Sequence, residues 1–336
     1  MSLCDDERID DGQQRWPTVL GSNSLYLIVL VLMIAISSIV FDLFSPKSMN
    51  TERWLIATLI MEVAVIGIPP LIYLLVSKMN IKRVARINGI RGVELLLVLG
   101  MAVFGYAIVG FINMLWYSIL SRIGNPVEPV FPPIKTGRQY MMAIIAMAVT
   151  PALVEEFLFR GVILRGYERF GALTAIVVSG VLFGLLHLNL VNLPAIIFLG
   201  IMISYVVVRT NSIFAGVLYH FTQNALSISF LFLQEFAQRY LGDGIAVPEN
   251  VEQMPPELLA AAMAVWGIIT FFCLGLFVAC VTSFNRITYG KESVRSLMFD
   301  EMKGLSIKDM LPAIASGVIV IAYLCVEVVA MIKSVR

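Results

Sequence analysis

The chain has 336 residues, of which 59% are hydrophobic and only 14% are charged, and its net charge is +1. Soluble globular chains carry about 25% charged residues, and runs of Gly and Pro do not replace the missing charge, so disorder does not explain the composition. The near-neutral charge gives no indication of a nucleic-acid partner. A lipid bilayer is the partner that this composition predicts.

Nine apolar segments follow one another along the chain, and each is long enough, or nearly so, to cross a bilayer. They are too long and too continuous for strands, and they lack the alternation of a transmembrane barrel. The expected fold is therefore all-α, a polytopic transmembrane helical bundle with about eight or nine spans. The segments are 24–43, 54–76, 93–120, 140–159, 172–188, 193–208, 213–236, 258–284 and 310–332.

The charges of the short loops predict how the chain is oriented. The loop 77–92 holds five basic residues and no acidic one, which favours the cytoplasmic side for this loop and for the acidic N-terminal tail. The same orientation puts Asp243, Glu249 and Glu252 outside, with Lys333 and Arg336 as a mild violation. We expect an integral multi-pass protein, by default in the cell (plasma) membrane.

Two loops rich in proline or glycine, 121–139 and 237–256, suggest three regions. The first is an N-terminal three-span region, 1–125, that includes the acidic tail. A four-span core follows at 139–236, and a C-terminal two-span region occupies 237–336. The core contains the polar residues that bear on function.

Two adjacent carboxylates and an arginine interrupt the apolar fourth segment. A charged side chain at mid-bilayer costs about 2.5 kcal/mol or more, so such groups persist where they pair or do chemistry. Glu156 and Arg160 are four residues apart and share a helix face, which fits an ion pair as well as catalysis. Glu155 has no obvious partner on its own helix, which favours a functional role. Pro151 cannot donate to the carbonyl of Met147 and is expected to bend the helix.

The only two histidines of the chain, His187 and His220, both lie in the three apolar segments that follow these carboxylates. A lone histidine in a helix is more often a satisfied core residue than a functional one, but the coincidence favours function. His220 and Asn224 are four residues apart and share a face. With turns near Gly171 and at 209–212, regular helices place all these polar groups at a similar depth.

Three other acids, Glu62, Glu94 and Glu327, stand singly in or near the remaining spans. We expect each to be a local hydrogen-bonding or structural residue. The methionines are scattered, mostly through the spans, and indicate packing.

The polar residues form three motifs that resemble those of the CPBP family. This family comprises the CAAX proteases and bacteriocin-processing enzymes and includes the type II CAAX prenyl endopeptidases. The motifs occur in order within about a hundred residues, and the resemblance covers roughly 140–236. They are Glu155-Glu156-x-x-x-Arg160, which Gly161 follows as the family pattern requires, then Phe183-x-x-x-His187, and then His220-x-x-x-Asn224.

The resemblance implies a hydrolase, an all-helical intramembrane endopeptidase whose site is open to the cytoplasm. Glu155 and His187 would activate the attacking water. His220 and Asn224 would stabilise the oxyanion. Two further catalytic-site residues, Glu156 and Arg160, would order the site. The family precedent for a substrate is a prenylated CAAX tail, and the implied partners are membrane-associated proteins or peptides.

The role of a metal is open from the sequence. The family is often described as metalloproteases, and Glu155, His187 and His220 are candidate ligands for a possible zinc ion. However, the chain has no His-Glu-x-x-His helix, and the same residues activate water without a metal, which slightly favours direct activation.

Two rival functions also fit the residues. A proton-coupled transporter would use the carboxylates and histidines as a relay. A non-catalytic bacteriocin-immunity or scaffold member of the family would need none of their chemistry.

Overall fold

A computed structural model describes residues 15–43, 50–126, 131–241, 256–290 and 306–333. Within these ranges the chain is helical, without strands, and a single helical turn at Ile81–Val84 joins the second and third long helices. The N-terminal acidic tail, Asp243, Glu249, Glu252 and Arg336 lie outside the described residues. The long helices are α1 (Val19–Leu43), α2 (Thr51–Val76), α3 (Gly92–Leu120), α4 (Gly137–Phe170), α5 (Ala172–Leu186), α6 (Leu193–Thr210), α7 (Ile213–Leu241), α8 (Pro256–Thr288) and α9 (Ile307–Lys333).

Each of the nine apolar segments is a helix, but the expected eight or nine spans are not confirmed. In the part of the chain that the structure describes, seven helices are long and apolar enough to cross a membrane, namely α1, α2, α3, α4, α6, α8 and α9. Helix α5 has only 15 residues, which is about 22 Å of helix and short of a hydrocarbon core of about 30 Å. Helix α7 is long enough, but it carries several polar side chains, among them His220, Gln223 and Asn224.

Helix α4 lies at the centre of the bundle. Leu158, Phe159 and Val162 in its second half are completely buried and belong to a cluster that also includes side chains of α1 and α5. Helix α5 packs very closely on α6 because its glycines leave room. A Cβ atom on Gly180 would lie 2.6 Å from the backbone nitrogen of Ile201, so a side chain there would separate the two helices.

Both turns predicted inside the core are confirmed. Gly171 joins α4 to α5 with φ of 90°, a conformation that glycine adopts without steric cost. Asn211 ends α6 in the left-handed region, with φ of 52°, where asparagine is tolerated. These short connections make α4 antiparallel to α5 and α6 antiparallel to α7.

The basic loop between α2 and α3 packs onto the end of the bundle formed by these two turns. Arg86 forms an ion pair with Glu168 and donates from Nε to Asn211 Oδ1 over 3.0 Å. Ser212 Oγ donates to the carbonyl of Asn88 over 2.7 Å. Burial, together with the nearby guanidinium of Arg165, lowers the pKa of Arg86 well below its ordinary value. The loop is thus fixed against α4, α6 and α7, and we call this end of the bundle the basic end.

Two helices contain wider, π-helical turns. In α2 these turns run over Glu62–Gly67, and in α4 they run over Ile144–Val149 and Phe157–Ile163. Such turns often occur at functional sites. The two π-helical stretches of α4 lie before and after its two adjacent carboxylates.

Candidate active site

Glu156 and Arg160 form a fully buried ion pair on α4. The Arg160 Nη1 atom lies 2.8 Å from Glu156 Oε1, and both side chains are 0% exposed. Arg160 also donates to α6, from Nη2 to the carbonyl of Gly200 over 2.8 Å and from Nε to Ser204 Oγ over 3.3 Å. The guanidinium thus bonds through all three of its nitrogens, as a buried charge requires, whereas Glu156 Oε2 is buried without a hydrogen-bond partner among the described residues. The pair therefore joins α4 to α6, on the shared face that the sequence predicts.

The same carboxylate holds His220. Glu156 Oε1 lies 3.0 Å from His220 Nδ1, and the histidine is buried. Because a carboxylate accepts hydrogen bonds and does not donate them, Nδ1 carries the hydrogen, and Nε2 is left for other partners. Gly216, one turn earlier on α7, permits this contact, since a Cβ atom there would lie 2.6 Å from Glu156 Oε2. The sequence analysis missed Gly216, although its four-residue spacing from His220 placed both on one face.

Phe183 lies between the two histidines. Its ring centroid is 4.9 Å from that of His187 and 5.5 Å from that of His220. The guanidinium of Arg160 lies over the same ring, 4.7 Å from the centroid. Phe183 is itself completely buried. One aromatic side chain therefore brings the polar groups of α4, α5 and α7 together.

His187 is at the end of α5, not within the apolar helix that the sequence predicts. The helix ends at Leu186, and His187 is its exposed C-terminal cap. Its Nδ1 lies 2.9 Å from the carbonyl oxygen of Phe183. A carbonyl only accepts, so Nδ1 carries the hydrogen, and the lone pair of the neutral ring is on Nε2. His187 thus presents an accepting nitrogen at an accessible position.

The loop after His187 is held from both sides by helices outside the predicted core. The backbone N–H of Leu190 donates to Glu327 Oε2 on α9 over 2.9 Å. The carbonyl of Leu190 accepts from Trp116 Nε1 on α3 over 2.8 Å. No feature of the sequence pointed to Trp116, because a tryptophan in an apolar span is common.

Glu155 is 5% exposed, and its Oε2 is buried without a hydrogen-bond partner in the described part of the chain. Among the described residues no direct hydrogen bond joins it to either histidine. Its charge interacts with those of Arg160 on α4 and of Glu62 on α2. Glu155 is therefore set apart from the hydrogen-bonded cluster formed by Glu156, Arg160 and His220.

Asn224 donates a hydrogen bond to a carbonyl of α4 that lacks its usual helical donor because of Pro151. Pro151 has no N–H for the carbonyl of Met147, and Asn224 Nδ2 donates to that carbonyl over 3.1 Å. The π-helical turns that end at Val149 lie directly before this proline. One of the two amide hydrogens of Asn224 is therefore already in use.

The candidate zinc ligands do not fit a three-ligand site. Within the described ranges, no three His, Cys, Asp or Glu side chains converge on a possible metal position. The Nδ1 atoms of His187 and His220 are both occupied by other partners. A catalytic zinc ion is normally held by three protein ligands. No step proposed below passes through a metal.

Comparison with known proteins gives one match. Residues 137–226 match the family model described as Type II CAAX prenyl endopeptidase Rce1-like. No curated protein and no solved structure matches the chain. The match and the apolar helices together support an intramembrane peptidase. The predicted resemblance is thus confirmed over residues 137–226, where this integral membrane protein matches the Rce1-like type II CAAX prenyl endopeptidase family.

Proposed function

We propose that the chain is an intramembrane endopeptidase that hydrolyses peptide bonds in membrane-associated proteins or peptides. The observation that carries the proposal is that polar side chains from three different helices, Arg160, His187 and His220, converge on Phe183. Ion pairing alone accounts for Glu156 and Arg160. It does not account for the unpartnered carboxylate of Glu155 or the accessible nitrogen of His187.

Water activation is the role proposed for Glu155 and His187. Peptide hydrolysis needs a base that removes a proton from the attacking water. The buried Glu155 oxygen has no competing partner among the described residues, and His187 offers the Nε2 lone pair. The water oxygen bonds to the carbonyl carbon, and the C–N bond then breaks. The proton taken from the water goes to the leaving amine.

Stabilising the oxyanion is the role proposed for His220 and Asn224. For His220 Nε2 to donate, the ring must carry hydrogen on both nitrogens, and the Glu156 carboxylate at Nδ1 balances the resulting positive charge. Asn224 has a second amide hydrogen beside the one that it gives to Met147. Loss of one such donor lowers kcat by about 10²–10³-fold in other hydrolases.

The proposed substrates and location follow from the family and from the charges. Prenylated CAAX-type tails are the first substrate class to test, because the matched family is named for them. The five basic residues of the loop 77–92, which packs at the basic end, support a cytoplasmic position for that end. The proposed location is the plasma membrane, with the site open to the cytoplasm.

The test is cleavage by the purified protein in detergent or vesicles. A membrane-peptide library that includes prenylated and unprenylated CAAX peptides is incubated with wild type and with Glu155→Gln. We expect cleavage that falls by about 10²–10⁴-fold in the variant, the range of general-base catalysis. The thermal unfolding temperature should hold or rise, because the substitution replaces a buried carboxylate whose Oε2 has no hydrogen-bond partner among the described residues.

The second part of the same experiment adds a metal chelator to the cleavage assay. Because the candidate ligands do not form a three-ligand site, cleavage should persist after treatment with EDTA and dialysis. Loss of cleavage that added zinc restores would contradict direct activation by Glu155 and His187. No cleavage under any condition, with transport lost in Glu155→Gln, would favour a proton-coupled carrier. Full biological effect in the variant would favour a non-catalytic scaffold.

A further inference from the structure

The three single acids of the other spans have different surroundings. Both oxygens of Glu94 accept from Arg91, as a capping box at the start of α3. Glu327 accepts from the backbone of Leu190. Glu62, in contrast, has its Oε2 buried with no hydrogen-bond partner among the residues that the structure describes. The local structural role that we predicted for all three therefore accounts for Glu94 and Glu327 but not for Glu62.

Glu62 lies beside the carboxylates of α4. It begins the π-helical turns of α2, which pack against the Thr150–Glu156 part of α4. The two helices are close at this point, since a Cβ atom on Gly67 would lie 3.0 Å from Val154 Cγ1. Val154 directly precedes Glu155, and the charges of Glu62 and Glu155 interact. Two carboxylates from different helices thus each have a shielded, unpartnered oxygen in the same region.

We infer that Glu62 is a further catalytic residue, whose carboxylate accepts a hydrogen bond from the water that Glu155 activates. The inference rests on the proposed function. A water molecule has two hydrogens, and Glu155 removes one of them. A second acceptor fixes the other hydrogen, so that the oxygen lone pair points at the scissile carbonyl. Glu62 neither takes up nor releases a proton in the step, because the proton moves from water to Glu155 and then to the leaving amine.

Glu62 lies outside residues 137–226, the segment that matches the family. An acceptor at this position is supplied by a flanking helix and not by the matched core. Holding the reacting groups in the productive orientation accounts for large rate factors, and small misplacements cost about 10²-fold. The expected effect of losing Glu62 is therefore on kcat more than on KM.

The experiment compares Glu62→Gln with Glu62→Met. Glutamine keeps an accepting oxygen, and methionine keeps the length of the side chain but has no comparable acceptor. We expect kcat to fall by about 10-fold in Glu62→Gln and about 100-fold in Glu62→Met, with KM within about twofold of wild type. Glu94→Gln, a buried glutamate away from the site, is the matched control and should cleave as wild type does.

A double variant separates a role through the water from a general structural effect. In the Glu155→Gln background the water is no longer activated, so adding Glu62→Met should lower kcat little further. Wild-type kcat in Glu62→Met, alongside an inactive Glu155→Gln, would overturn the inference and leave the proposed function standing. The same losses in Glu94→Gln, or fully multiplicative losses in the double variant, would also overturn it.

Thermal unfolding tests the inference independently of any substrate. Two carboxylates that face one small region repel each other, and removing either relieves the same repulsion. We expect Glu62→Gln and Glu155→Gln each to hold or raise the unfolding temperature, with the double variant gaining less than both together. Strictly additive shifts would place Glu62 away from Glu155 and overturn the inference even if wild type cleaves none of the peptides.

Discussion

The segment that matches the family and the helices that flank it differ in the side chains that they bury and expose. In residues 137–226, Glu156 and Arg160 are fully buried and bond to each other and to neighbouring helices. Helix α8, outside the segment, instead presents Phe271 and Phe272, 75% and 69% exposed, on a surface suited to lipid. The reacting groups that we propose are thus nearly all within the matched segment, whereas the flanking helices supply support and cover.

The flanking helices nevertheless also contact residues of the proposed site. Trp116 on α3 and Glu327 on α9 fix the loop that follows His187. The turns of α2 that begin at Glu62 pack against the part of α4 that carries Glu155. The match to residues 137–226 therefore covers most of the proposed catalytic residues but omits residues of other helices that contact them. The predictions below test this division, first in the core and then in the flanks.

The largest expected effect follows from Arg160→Met. The substitution leaves the Glu156 carboxylate buried without its guanidinium and removes the bonds to Gly200 and Ser204. Breaking a buried pair from one side costs about 3–5 kcal/mol, so the unfolding temperature and cleavage should both fall sharply. Chemical denaturation, followed by circular dichroism, measures the loss.

Arg138→Met is the matched control for that experiment. Arg138 also forms an ion pair, with Glu52 over 3.2 Å, but its side chain is 76% exposed. Exposed pairs contribute about 0–1 kcal/mol, so stability and cleavage should change little. Equal effects of the two substitutions would show that the buried cluster is not the structural centre of the core.

The second prediction separates the two roles of Asn224. Asn224→Ala leaves the carbonyl of Met147 without a hydrogen-bond donor, which costs about 1–3 kcal/mol of stability. It also removes a proposed oxyanion donor, so we expect kcat to fall by about 10²–10³-fold. Adding Pro151→Ala returns a backbone N–H to that carbonyl. The double variant should regain stability without regaining kcat.

Two outcomes would contradict this separation. If Asn224→Ala/Pro151→Ala recovers both stability and kcat, Asn224 acts only as a support for α4, and the oxyanion role is wrong. If stability does not recover, the hydrogen bond to Met147 is not what the asparagine contributes. Pro151→Ala alone serves as the reference for both measurements.

The sequence predicted the location of the helices better than the surroundings of single side chains. Apolar composition and length identified all nine apolar segments as helices, because lipid leaves the backbone no alternative to a helix. The i to i+4 spacing of Glu156 and Arg160 also predicted their shared face, which is confirmed. Helix continuity was predicted less well, since apolar composition did not show that α5 ends before His187.

Contacts between distant helices could not be predicted from the sequence, for a physical reason. Glu62, Glu94 and Glu327 look alike in sequence, as single acids in apolar surroundings. Their differences come from what another helix places beside them: α4 beside Glu62 and Leu190 beside Glu327. The π-helical turns also rotate the side chains that follow them, and a pattern based on 3.6 residues per turn does not include that shift.

The smallest expected effect tests the flanking support for His187. Glu327→Ala removes the acceptor for the N–H of Leu190, and Trp116→Phe removes the donor to its carbonyl. Each lost hydrogen bond costs about 0.5–1.5 kcal/mol, so the protein should stay folded. Because the loop positions His187 and does not touch the scissile bond, we expect a decrease of about 10-fold in kcat.

Glu327→Gln, which keeps an accepting oxygen, should cleave nearly as wild type does. A change in KM alone would instead mean that the loop after His187 binds substrate, and an unchanged kcat in both variants would confine the catalytic apparatus to the matched segment and α2.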